Sequence, residues 1–215
     1  LTNVDNCFAT PFLQKPTEFG IDIVTHSATK YIDGQGRVLG GLVLGSAEYI
    51  KKVETFCRST GPTISPFNAW TLSKSLETLE VRMERHCDSA NKLANALESH
   101  PEIESVKYPF LLSHPQYDTA QKQMSKGGGI VTFELKGGLK RGVDFLDNLK
   151  TCSLTANLGD SRTIVSHPAS TTHYKLSEEE RSEVGITPGL IRVSVGLESI
   201  IDIISDIEQA LNASK

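Results

Sequence analysis

Leu72, Leu76, Leu79, Met83, Ala90, Leu93 and Leu97 follow one another at intervals of three, four or seven residues. A helix over this stretch carries all of them on one face, and such a face has to be buried. Ser65 stands as an N-cap before Pro66 at the first helical position, and His100-Pro101 closes the segment. The spacing predicts one long helix from Pro66 that bridges two domains. Before it, Leu1 to Asp5 reads as the end of a strand, Ile21 to Thr25 and Leu39 to Leu44 as short buried strands, and Ala47 to Arg58 as a helix. After it a second α/β layer is predicted. Its strands are Ile103 to Tyr108, Ile130 to Leu135 and Leu190 to Val195, and its helices Pro115 to Met124, Gly142 to Leu149 and Ser199 to Leu211. Ser177 with Glu180 three residues on reads as a capping box that starts a further helix.

At 215 residues the chain is long enough to bury a substantial core, as one large domain or parts of two. A net charge of −4 with no basic block argues against nucleic acid as a partner. No apolar run approaches the roughly 18 residues that a bilayer span requires, and no signal-type N-terminus is visible. The expected address is therefore cytoplasmic, with no membrane partner. Cys7, Cys57, Cys87 and Cys152 are widely spaced, and no H-E-x-x-H occurs among the histidines. Neither a disulfide framework nor a metal site is expected, and the cysteines read as buried or neutral thiols.

The chemistry concentrates at His26-Ser27-Ala28-Thr29-Lys30-Tyr31, which follows the Ile21 strand and precedes Gly34-Gln35-Gly36-Arg37. One amine and two hydroxyls share a short turn. An amine that reaches an aldehyde, beside hydroxyls that hold a phosphate, is what a Schiff-base lysine for pyridoxal phosphate requires. Val4-Asp5-Asn6 offers a carboxylate for the pyridine nitrogen. The glycines after Lys30 do not complete G-x-x-x-x-G-K-[ST], so they are poor evidence for a nucleotide loop.

These segments extend into an ordered set: Asp5 to Pro11 with Leu13 to Pro16, Ser27 to Tyr31, Leu76 to Leu79 with Arg82 to His86, His167 to Ser170 with Thr172-His173, and Arg192 to Glu198. Together they resemble the Cys/Met-metabolism family of pyridoxal-phosphate enzymes over nearly the whole chain. Within that family, Gly34 to Gly41 and Ala156 to Asp160 look like the O-succinylhomoserine sulfhydrylase branch. The first departs from the Gly-His-Ser-Asp of cystathionine synthases and lyases, and the second carries Asn157 where many lyases carry serine.

The resemblance implies an α/β chain of the pyridoxal-phosphate-dependent transferase fold type I, similar to aspartate aminotransferase, represented by its C-terminal portion. Residues 1–80 would be the C-terminal part of the large cofactor domain and residues 81–215 a smaller α/β domain. Lys30 would carry the cofactor and, once released, act as a base beside the substrate's Cα. Asp5 would pair with the pyridinium nitrogen, and Ser27 and Thr29 would donate to the phosphate. Arg192 would grip the substrate α-carboxylate, Asn157 would add a hydrogen bond to it, and Thr172 lies in a segment that lines the site in relatives. Arg37 suggests itself for the distal carboxylate of a succinyl leaving group. Ordinary structural readings stand beside each role: a surface lysine, turn-capping Asp5, Ser27, Thr29, Asn157 and Thr172, an ion-paired Arg192, and an exposed Arg37.

The reaction implied is γ-replacement on O-succinylhomoserine, or a related O-acylhomoserine, with sulfide to give homocysteine. The alternatives are a γ-lyase or cystathionine γ-synthase of the same family and, from another class, a non-catalytic fragment or assembly subunit. The opening at a strand end suggests a piece, with an N-terminal segment supplied by the same polypeptide or a separate chain. Residues 1–215 alone are accordingly expected to hold the cofactor poorly. A homotetramer, built as a dimer of dimers, is the expected assembly.

Overall fold

The computed structural model describes all residues, 1–215. In chain order the elements are β1 (Asn3–Asp5), α1 (Thr10–Leu13), a 3-10 turn (Pro16–Phe19), β2 (Ile23–Ser27), β3 (Gly41–Gly45), α2 (Ala47–Thr60), α3 (Pro66–Leu76) and α4 (Leu79–Glu98). There follow β4 (Ile103–Lys107), α5 (Tyr117–Gln123), β5 (Ile130–Leu135), α6 (Gly138–Asp147), β6 (Ser153–Leu154), β7 (Ile164–Ser166), α7 (Glu178–Glu183), β8 (Leu190–Ser194) and α8 (Ile200–Ala213). Two mixed sheets result. The first runs β1-β2-β3, with β1 and β2 parallel and β3 antiparallel; the second runs β4-β5-β8-β7-β6, antiparallel but for β6 and β7.

The second sheet buries one face. Val131, Phe133 and Leu135 of β5 and Ile191 and Val193 of β8 alternate inward and meet Leu93 and Leu97 of α4, Phe145 of α6, and Ile207 and Leu211 of α8 in the main core. The alternation sends Thr132 and Arg192, directly opposite each other in register, to the other face. Thus the placement of Arg192 is a consequence of the period-two pattern around it.

The expected single helix from Pro66 is two helices, broken at Glu77 and Thr78. The break has a local cause: the Ser75 carbonyl accepts from Thr78 N (3.2 Å), Thr78 Oγ1 (3.2 Å) and Arg82 Nη2 (3.0 Å). Leu76 consequently leaves the stripe and is exposed. The Ser65 cap is present, accepting from Asn68 N at 3.1 Å. Beyond the break, α4 serves both sheets. Leu79, Met83 and Cys87 pack with Leu13, Tyr31 and Leu158, whereas Ala90, Leu93, Ala94 and Leu97 join the second sheet's core.

Leu39 to Leu44, expected as a buried strand, is not buried. β3 lies there, but each of its residues is exposed, including Leu42, Val43 and Leu44. Only β2 pairs with it, and α2 beside it has no buried residue, so the apolar edge is bare in this chain. The Ser177–Glu180 capping box starts α7, and Ser199 precedes α8, as the sequence predicts. No helix is long and apolar enough to cross a membrane.

Candidate active site

The turn after β2 sorts its side chains by burial. Ala28, Tyr31 and Ile32 are buried, which leaves Ser27, Thr29 and Lys30 half-buried on the outer side. Lys30 N closes the turn on Ser27 O at 3.2 Å. Thr29 Oγ1 accepts from Gly40 N at 3.1 Å, so its own hydrogen is available to the Gly40 carbonyl at 3.4 Å or to a bound anion. Next door, parallel pairing of β1 and β2 sets Asp5 opposite Thr25, and the Asp5 carboxylate accepts from Cys7 N at 3.0 Å. The Cys7 thiol gives its hydrogen to Ser27 O at 3.6 Å. Burial and then the Asp5 charge push that thiol's pKa up while Lys30 pulls it down, so both charges bear on one spot. Asp5 also lines a cavity of about 510 Å³ whose far wall is Gly127 to Gly129 and Thr132.

Lys30, Asn157 and Arg192 are linked directly. Lys30 Nζ donates to Asn157 Oδ1 at 2.6 Å. Arg192 Nη2 donates to the carbonyls of Ala156 (3.2 Å) and Asn157 (3.4 Å). Burial pushes the pKa of Arg192 down, and no carboxylate of the chain pairs with it. A partly desolvated guanidinium held only by carbonyls has the charge and the planar fork to pair with a carboxylate.

Two expected residues are not in this group. Arg37 places N and Nε on the Asp33 carboxylate (2.7 and 3.0 Å) and Nη2 on Asp33 O and Ser75 Oγ. Its guanidinium is used in fixing the turn at Gly34 to Gly36 and makes no bond to Lys30, Asn157 or Arg192. Thr172 is exposed, with its hydroxyl against His173 Nδ1 at 2.8 Å and no bond to Lys30 or Arg192. His167 is held by Ser170 Oγ and Pro188 O, and no trio of His, Cys, Asp or Glu forms a metal cluster.

One residue was missed by sequence reasoning. Arg82 is buried and donates to Tyr31 O (2.6 Å), Ile32 O (3.3 Å), Ser75 O and Thr78 Oγ1 (3.2 Å), tying α4 to the turn that carries Lys30. Gly34 makes room for it, because a Cβ there would stand 2.1 Å from Arg82 Nη1. The available signal was an arginine on the apolar stripe between Leu79 and Met83. Replacing Arg82 with methionine leaves buried carbonyls unpaired and is expected to cost about 3 kcal/mol in urea unfolding.

His86, one turn further along α4, is fully buried and gives Nδ1–H to Val195 O at 2.7 Å. Burial pushes its pKa from 6.5 down to about 4. As pH falls below 6.5 the unfolded chain takes a proton that folded His86 refuses until about 4. Stability is therefore present above that window and lost across it, at about 1.4 kcal/mol per pH unit. Urea unfolding at pH 5 should give a stability about 2 kcal/mol below that at pH 7 from this residue. His26 and His167, also pushed down by burial, add to the loss. A His86→Phe variant should show a correspondingly shallower pH slope.

The family model for Cys/Met metabolism PLP-dependent enzymes matches residues 1–212. The chain belongs to that family. An O-succinylhomoserine sulfhydrylase of Pseudomonas aeruginosa is 51% identical over 213 residues, which are 99% of this chain and 53% of that protein. An L-methionine gamma-lyase of Fusobacterium nucleatum is 48% identical over 98% of this chain and 54% of its own. Cystathionine gamma synthase from Xanthomonas oryzae pv. oryzae, solved with cystathionine, superposes with a TM-score of 0.95 at 38% identity, covering 100% of this chain and 56% of that one. The chain thus spans about half the length of these relatives and has the fold of pyridoxal-phosphate-dependent enzymes. Its donor set fits that cofactor: one amine, two hydroxyls on the same turn and one carboxylate on the neighbouring strand.

Proposed function

We propose that the protein replaces the γ-substituent of an O-acylhomoserine, O-succinylhomoserine first, with sulfide, giving homocysteine and succinate. The observation that carries this reading is the link through Asn157, which joins the Lys30 amine to the Arg192 guanidinium. Asp5, Ser27, Thr29 and Lys30 would hold pyridoxal phosphate, which when bound supplies an electron sink for carbanions next to the substrate amine. Asp5 would keep a proton on the pyridine nitrogen, and Ser27 and Thr29 would donate to the phosphate oxygens. Arg192 takes the substrate α-carboxylate, giving up its carbonyl partners, and so turns the Cα–H bond toward Lys30 Nζ. Lys30 Nζ removes the Cα proton, moves protons at Cβ, and returns them after sulfide has bonded to Cγ in place of succinate. Asn157 Oδ1 steadies the amine between transfers.

The 51% match to a sulfhydrylase favours replacement; the 48% match to a methionine lyase keeps elimination as the second reading. Incubating the complete protein with O-succinylhomoserine and sulfide separates them. Homocysteine in excess of 2-oxobutyrate supports the proposal, and 2-oxobutyrate as the main product overturns it. A cytoplasmic homotetramer, with the domain division at residues 80 and 81, completes the reading. Along α4 the change of packing partners falls later, between Cys87 and Ala90, and sedimentation equilibrium tests the tetramer.

A further inference from the structure

Asn157 sits in an irregular stretch between β6 and β7, yet its side chain meets Lys30 at hydrogen-bond distance. Something must fix this stretch. Downstream of Asn157, Leu158 is buried against Tyr31, Leu79 and Met83. Gly159 has φ +75° and lies flat on the Lys30–Tyr31 peptide, where an added Cβ would stand 2.7 Å from Tyr31 N and 3.0 Å from Lys30 C. Its N–H is taken by Ser194 Oγ at 2.8 Å. Ser194 is buried at the end of β8, two residues beyond Arg192 and so on the same side of the strand. One strand therefore grips the stretch at two points, through Arg192 at Ala156 and Asn157 and through Ser194 at Gly159. If Arg192 takes the substrate carboxylate, as proposed above, it gives up its bonds to these carbonyls, whereas the Ser194 bond to Gly159 N does not involve the guanidinium.

We infer that Ser194 is a positioning residue: its hydroxyl, by holding Gly159 N, keeps Asn157 over Lys30 while Arg192 exchanges carbonyls for substrate. Gly159 is the second half of the device, because only a residue without Cβ lets the stretch lie against the Lys30 backbone in a left-handed conformation. This rests on Lys30 being the reactive amine, but the geometry itself is readable without turnover.

The test is competitive acylation of lysines in the complete protein, stripped of cofactor with hydroxylamine, with each site quantified by peptide mass spectrometry. In Ser194→Ala, Lys30 should be labelled about threefold to tenfold faster, as expected for loss of one hydrogen-bonded constraint. Lys126, paired with Glu84 and Asp88, should keep its rate. Gly159→Ala should release Lys30 in the same way from the other side of the stretch, and it carries the test if Ser194→Ala does not fold. Ser166→Ala is the control, since that serine is equally buried but has no hydrogen-bond partner, and it should leave Lys30 unchanged. An unchanged Lys30 rate in Ser194→Ala or, where that variant does not fold, in Gly159→Ala overturns the inference, as does a parallel rise at Lys126, which would mean general loosening. Because turnover is not measured, this outcome stands apart from whether the sulfhydrylase reading survives.

Discussion

Lys30→Ala is expected to lower turnover of O-succinylhomoserine with sulfide by about 10⁴-fold or more. Lys30 is asked to do two things: bond to the cofactor and carry protons, and a positioned general base alone contributes roughly 10² to 10⁴. Lys30→Arg should be no better, because a guanidinium stays protonated and cannot act as the base. Stability should hardly move in either variant. The turn is fixed from beneath by Arg82 on the Tyr31 and Ile32 carbonyls, and by Ala28, Tyr31 and Ile32 in the core, none of which the substitution touches. Steady-state kinetics beside a urea melt check both halves. A Lys30→Ala enzyme within tenfold of the parent would remove Lys30 from the chemistry.

Arg192→Ala is expected to lower kcat/KM by about 10²-fold, carried largely by KM. Two charge-assisted bonds to a carboxylate are worth about 3 to 6 kcal/mol together, but Arg192 gives up its bonds to the Ala156 and Asn157 carbonyls to make them. The difference, about 2 to 3 kcal/mol, corresponds to that factor. Arg192→Lys should recover little of it, since an ammonium lacks the planar fork that matches a carboxylate. An amino-acid amide as substrate decides the cause: it lacks the anion, so parent and Arg192→Ala should handle it about equally. A large difference on the amide would assign Arg192 some other task.

Much of this site was legible because the chemistry is local in sequence. Ser27, Thr29 and Lys30 share one turn, and Asp5 reaches them through a parallel strand pair that short apolar runs foreshadow. Arg192 came from the family-like segment Arg192 to Glu198, and the alternation of Ile191 and Val193 into the core sets which face of the strand it takes. What escaped rests on contacts that residue type and spacing do not announce. Nothing near Ser75 announces that its carbonyl will be shared by Thr78 and Arg82, so the helix break at Glu77 could not be read from a continuous leucine stripe. The strands at Ser153–Leu154 and Ile164–Ser166 are too short for a period to emerge. Leu42, Val43 and Leu44 have the composition of a buried strand, but burial depends on what lies across from them. Arg37 was read without its partners, Asp33 four residues before it and the distant Ser75.

The most direct test of the account is where pyridoxal phosphate attaches. The complete protein is incubated with the cofactor, reduced with borohydride, digested and mapped by tandem mass spectrometry. A pyridoxyl group is expected on Lys30, well above any on exposed lysines such as Lys52 and Lys74. Label absent from Lys30, or spread evenly over the surface lysines, would contradict it.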